Sequence, residues 1–168
     1  TGKCAVSAGR IHEVLSLPSE YLVNGKEMPE ISGSIEFKDL WFKFDDTDKY
    51  LLKGVNFSIK AGETIAIVGK TGCGKSTIAK ILTRLNEYQD GDVLLDGVKV
   101  KDIDKQYLRS QVGLILQDPF LYSKSVYGNI AITNKNIDKD RVYDVAKMAA
   151  IDKDIHGFDK GYDTIVGE

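Results

Sequence analysis

Two features of the sequence predict a mixed α/β fold built around a phosphate-binding loop. Short apolar runs, Thr64-Ile65-Ala66-Ile67-Val68 among them, alternate along the chain with stretches of helical periodicity. Between that run and the next helical stretch lies Gly69-Lys70-Thr71-Gly72-Cys73-Gly74-Lys75-Ser76-Thr77, which satisfies GxxxxGK[ST] in the strand–turn–helix setting the motif demands. The 168 residues, 42% hydrophobic and 29% charged, suffice for one ordinary domain with a sizeable core and exclude wholesale disorder.

The elements follow in order. Ala8, Ile11, Val14 and Leu15 fall at helical spacing, and Pro18 ends that run. Residues 19–33 are polar and carry Gly25, Pro29 and Gly33, the composition of a linker. Ile35, Phe37, Leu40, Phe42 and Phe44 make an aromatic strand that stops at the turn Asp45-Asp46-Thr47-Asp48. Val55, Phe57 and Ile59 alternate with polar residues, as on a half-buried strand. The run 64–68 is continuous, as in a strand buried on both faces of a sheet. A helix is expected over Ser76–Leu85, with Ile78, Ile81, Leu82 and Leu85 on one side. Val93-Leu94-Leu95 and Val112-Gly113-Leu114-Ile115-Leu116 read as short strands, Val126–Ile130 and Val142–Ile151 as helices, the second opened by Asp138 or Asp140.

Composition narrows the function. Lys plus Arg (23) against Asp plus Glu (25) gives a net charge of −2, without the broad positive field of a general nucleic-acid binder. No apolar run approaches the roughly 18 residues that would span a bilayer, and Thr1-Gly2-Lys3-Cys4 lacks a signal-peptide core. Cys4 and Cys73 stand far apart without metal-site spacing, which fits a reducing compartment. His12 and His156 stand alone and read as surface or half-buried side chains.

The glycine-rich loop carries the chemistry. Gly69, Gly72 and Gly74 let the backbone fold into a concave nest whose N–H groups point at phosphate oxygens. The helix beginning at Ser76 adds the positive end of its dipole. Lys75 supplies a full charge for β- and γ-phosphates, the Ser76 hydroxyl is placed to ligate Mg²⁺, and Thr77 adds a hydroxyl toward the α-phosphate. Cys73 fills a small turn position; beside Lys75 and a helix N-terminus it is also a candidate for inhibitory alkylation.

The rest of the chain selects among P-loop families. A GTPase would show DxxG and later NKxD. Asn134-Lys135-Asn136-Ile137 has isoleucine at the acidic position, and Asp154-Ile155-His156-Gly157 follows it in the wrong order. Instead, residues Ile35 to Glu168 resemble the nucleotide-binding domain of an ATP-binding cassette (ABC) transporter of the exporter type, with a looser match from about Ala5 to Tyr21. The resemblance is carried in family order by Ile35–Phe44, Leu51–Ile59 with Gly62-Glu63, the P-loop (Walker A), Asp90–Gly97, Leu108-Arg109, Val112–Pro119, Val126–Ile130 and Gly161–Glu168.

The resemblance implies an ABC-type P-loop ATPase fold, here incomplete, with an antiparallel β subdomain and the start of a helical subdomain. Residues 1–34 would be a helix and linker from an upstream transmembrane domain, and residues 35–168 the N-terminal part of the nucleotide-binding domain. Phe44, where the family usually has Tyr, would stack on adenine, and Gln117 would contact Mg²⁺ or the attacking water. The segment Pro119–Asn129 would touch the coupling helices of the transmembrane domain. ATP and Mg²⁺ are the implied cofactors. A second nucleotide-binding domain, packed head to tail, is the implied partner, no nucleic acid is expected, and the implied location is the cytoplasmic face of the cell membrane.

The family's signature, catalytic Glu and switch His are expected after Glu168. Asp96 follows an apolar run but is succeeded by Gly97, and reads as the end of a hairpin strand. Residues 1–168 are therefore expected to have little ATPase activity alone. A degenerate nucleotide-sensing module and a soluble non-transport ABC ATPase are the competing classes. The missing basic bias and the Asn129-Ile130 region count against the soluble ATPase.

Overall fold

The computed structural model describes residues 2–17, 19–20, 22–118, 120–134 and 136–167. The expected helix stop at Pro18, and Tyr21, Pro119, Lys135 and Glu168 in the motifs above, lie outside the described residues. The chain divides into two compact units, residues 1–114 and 115–168.

The first unit is built on a four-stranded antiparallel sheet in the order β2-β1-β3-β4. Its strands are β1 (Ile35–Phe42), β2 (Leu52–Ile59), β3 (Asp90–Leu95) and β4 (Val98–Lys99). An irregularity in the β1 ladder at Asp39 (φ 45°) breaks the strict alternation, so that Phe37 as well as Leu40 and Phe42 is buried, with Leu52, Val93 and Leu95 from its neighbours. Phe37 stacks on Phe57, which it faces across the ladder, at 4.4 Å between ring centroids. Helix α2 (Lys75–Leu82) closes the core with Ile81, and Leu108 of α3 (Lys105–Gln111) joins them. Asp104 caps α3 through the Tyr107 amide (2.7 Å).

The first helix, α1 (Gly2–Leu15), forms as its spacing predicts, and Val6, Ile11, Val14 and Leu15 on it are exposed. No described helix is long and apolar enough to cross a membrane. Two expected strands differ. Residues 64–68 and 112–116 pair with no strand among the described residues, and Val68 (88% exposed) and Ile115 (98%) face solvent. Apolar β-branched content favours an extended backbone, but a ladder also needs a partner for each N–H and C=O. The P-loop helix also ends three residues early. Arg84 turns left-handed (φ 54°), so Leu85 leaves the helix face and is half exposed.

The second unit contains α4 (Val126–Ile130), α5 (Lys139–Met148), α6 (Asp152–His156), a 3₁₀ turn at Gly161–Asp163, and a two-stranded ladder of β5 (Lys124–Ser125) with β6 (Ile165–Val166). Ser125 caps α4 through the Gly128 amide (3.0 Å), and Asp138, one of the two expected residues, caps α5. Val142, Ala146, Ile155 and Tyr162 form its core. The Tyr162 hydroxyl donates to Asp152 (2.7 Å), and burial followed by that carboxylate pushes its pKa up to about 12.

The β3–β4 connection is a two-residue turn, Asp96-Gly97, with both residues at positive φ, as a tight hairpin prefers. The Asp96 carboxylate accepts from the amides of Ser32 (2.8 Å), Gly33 (2.9 Å) and Ser34 (2.8 Å) and from the Ser34 hydroxyl (2.9 Å). These donors, the Gly33 amide foremost, hold its pKa at about 2 against an ordinary 3.8. A depressed folded-state pKa stabilises the fold above the unfolded value, and that contribution disappears as pH falls from about 4 toward 2. Asp96→Asn, which tolerates the left-handed turn, is expected to lower unfolding free energy at neutral pH by on the order of 1 kcal/mol. It should also flatten the loss of stability between pH 4 and 2, measured by denaturant unfolding across that range.

Candidate functional site

The loop of residues 69–74 enters α2 through Gly74, which caps the helix in the left-handed region (φ 97°, ψ 9°) without any side-chain cap bond. A helix start leaves its first amides without intrahelical acceptors, so those of Lys75, Ser76 and Thr77 point outward as donors. Gly72 (φ 82°) makes the other left-handed turn, with open space where a Cβ would stand. One internal bond, Cys73 N–H to Lys70 O (3.3 Å), braces the loop.

Lys75 folds back over the loop. Its Nζ donates to Gly69 O and Lys70 O, each at 2.9 Å, and lies 3.9 Å from Cys73 Sγ. The ammonium is thereby held at the loop, on carbonyls that an anion with stronger acceptors would replace. Ser76 is exposed and Thr77 buried, so of the two hydroxyl side chains Ser76 is the one open to a metal. Thr71 and Cys73 are exposed on the loop surface.

A seat that motif reading does not reveal holds the loop. A Cβ on Gly74 would lie 2.6 Å from Leu52 Cδ2 and 3.4 Å from Leu51 Cγ. Leu52 pairs with Phe42 in the ladder, and the Leu51 amide donates to Phe42 O (2.8 Å). The end of β1 thus supports the loop through β2. The same strand end carries Phe44, whose ring meets Phe42 edge-on at 5.0 Å. Phe42 is core at 3% exposure, whereas Phe44 is 45% exposed and offers part of its ring surface to solvent. Gln89 fixes that strand end by accepting from Lys43 N–H (2.8 Å) and donating to Lys43 O (3.2 Å). The shallow pocket beside Phe44 is lined by Leu85, Glu87, Tyr88 and Gln89 among others, and by no P-loop residue.

The first unit therefore brings together Gly69, Thr71, Gly72, Cys73, Gly74, Lys75, Ser76 and Thr77, and ties Phe44 to them through Leu51 and Leu52. Gln117 belongs to the second unit, where it is exposed. Sequence reasoning also missed Gln89, because a lone amide after a helix carries no periodic signal.

The ABC transporter family model matches residues 52–163. The chain belongs to that family, with an ABC-type P-loop ATPase fold. It is 40% identical over 163 residues to the Toxin RTX-III translocation ATP-binding protein of Actinobacillus pleuropneumoniae, a match covering 97% of this chain and 23% of that protein. It is 38% identical over the same length to the Alpha-hemolysin translocation ATP-binding protein HlyB of Escherichia coli, with the same coverage. Among solved structures, a bacterial Atm1-family ABC exporter with ATP bound superimposes with a TM-score of 0.81 at 30% identity, covering 98% of this chain and 29% of that one. The chain thus spans about a quarter of the length of the relatives it matches.

The seat under Gly74 is testable. Gly74→Ala combines a left-handed alanine with the Leu52 clash and is expected to cost on the order of 2 kcal/mol of unfolding free energy. Gly72→Ala carries only the backbone penalty, roughly half as much. Denaturant titrations of both variants against wild type check the difference.

Proposed function

We propose that this chain is the ATP-binding part of an ATP-driven exporter, positioned at the cytoplasmic face of a membrane. The observation that carries the reading is the uncapped start of α2 beneath a left-handed glycine loop, with the Lys75 ammonium held at the loop's own carbonyls. The exporter relatives support the transport half of the reading.

In this reading the amides of residues 74–77 receive the phosphates, and Lys75 exchanges its two carbonyl partners for β- and γ-phosphate oxygens. Thr71 and Cys73 stand along the same path, and Thr77 steadies the α-phosphate end. Phe44 presents its ring to adenine. The exposed Ser76 hydroxyl fits a hard cation, and Gln117 is the second oxygen donor assigned to it. Mg²⁺ bound there would neutralise charge on the phosphates. The coupling helices of a transmembrane domain are assigned to the segment 119–129, and a second nucleotide-binding domain to the open face of the loop. Turnover and cargo choice are assigned to the whole protein rather than to residues 1–168.

Titration calorimetry with ATP and Mg²⁺ tests the site. Wild type is expected to bind saturably, and Lys75→Ala to lose affinity by at least about tenfold, the loss of a charge-assisted contact. Equal affinity in the two chains would remove the assignment. Phe44→Ala should weaken binding several-fold while Phe44→Tyr keeps it, because stacking needs the ring face and not the hydroxyl. A comparable loss in both variants would count against stacking.

A further inference from the structure

Helix α2 has two ends, and the polar segment before β1 is fastened to the one opposite the P-loop. Arg109 of α3 donates from Nε to Thr83 O (3.1 Å) and from Nη2 to Arg84 O (2.9 Å), the carbonyls just past the end of α2. The same guanidinium meets the Glu20 carboxylate in two bonds of 3.0 Å. Arg84 Nη2 donates to Val23 O (3.2 Å), and Lys105 Nζ to Glu20 O (2.6 Å). Asn24 accepts from the Lys105 amide (2.8 Å) and donates to Asp104 (2.7 Å). Further on, the amides of Lys26 and Glu27 share Asp102 O at 2.8 and 2.9 Å. A solvated linker would not need this many fixed partners; each one removes conformational freedom from the segment.

We propose that Glu20, Val23, Asn24, Lys26 and Glu27 form a strap that senses occupancy of the P-loop through α2, so that nucleotide binding and strap docking strengthen one another. The proposal rests on the nucleotide reading above. Helix α2 is about 12 Å long, a single rigid element, so phosphates held at its N-terminus also steady the carbonyls at its far end. The fork of Arg109 has to satisfy Thr83 O, Arg84 O and the Glu20 carboxylate at once, a fit sensitive to small displacements. Once nucleotide has ordered two of those three acceptors, docking of the third loses less freedom. The coupling is reciprocal: releasing the strap weakens the nucleotide. Because α1 ends at Leu15, shortly before Glu20, movement of α1 has a covalent route to the strap.

Hydrogen–deuterium exchange of the full-length protein, with and without saturating ADP and Mg²⁺, tests this. Peptides covering residues 69–82 and residues 22–30 are both expected to slow, the second by about fivefold, the lower end of ordinary coupling. Glu20→Ala, at a half-exposed side chain, should abolish the slowing over 22–30 and weaken ADP binding by a similar factor, with Glu20→Gln intermediate. Slowing confined to 69–82, or unchanged ADP affinity in Glu20→Ala, would overturn the strap and leave the nucleotide site standing. No response in either segment would overturn both.

Discussion

A guanidinium taken out of water has to recover its lost hydration from fixed acceptors, and the first unit is arranged around one that does. Arg84, whose side chain is 1% exposed, donates to the carbonyls of Val23, Val100, Lys101 and Ile103 and to Glu87. Burial of such a charge is tolerated only when this many partners are present, since an unpaired cation would cost several kcal/mol. The partners come from the segment before β1, from the chain after β4 and from the turn after α2. Lys105, also buried, shares Glu87 with it at 3.2 Å. These segments therefore meet at the end of α2.

That constraint has its counterpart at the other end of the helix. Gly74 sits where no Cβ fits, against Leu52, and Leu52 is registered opposite Phe42 on the central strand. The phosphate-binding loop is therefore not a free glycine-rich turn; it rests on the antiparallel sheet. Ile81 is buried with Phe42 and Leu52 in the same cluster, so the middle of α2 is anchored as well. A helix held at its start, middle and end can carry a mechanical relation between its two termini, as the proposed strap requires.

Much of this was legible beforehand. GxxxxGK[ST] after an apolar run and before a helix located the loop, because glycine takes left-handed turns with least strain and only a few residue types suit phosphate. Alternation marked β2, aromatic content marked β1, and Asp96-Gly97 marked the end of a hairpin strand, since each pattern is local. Residues 64–68 and 112–116 carried an equally strong strand pattern and yet form no ladder among the described residues. Pairing is a property of two segments, and one segment's composition cannot supply the other.

The sequence by itself determined the family and the P-loop, because these depend on residue type and spacing along the chain. Tertiary structure alone decided that Phe42 is core while Phe44, two residues later, is exposed, and that Leu51 and Leu52 seat the loop. It also decided that Arg84 and Lys105, residue types that ordinarily lie at the surface, are buried. The burial of Arg84 and Lys105 depends on bonds between residues 16 to 85 positions apart, which no local pattern records.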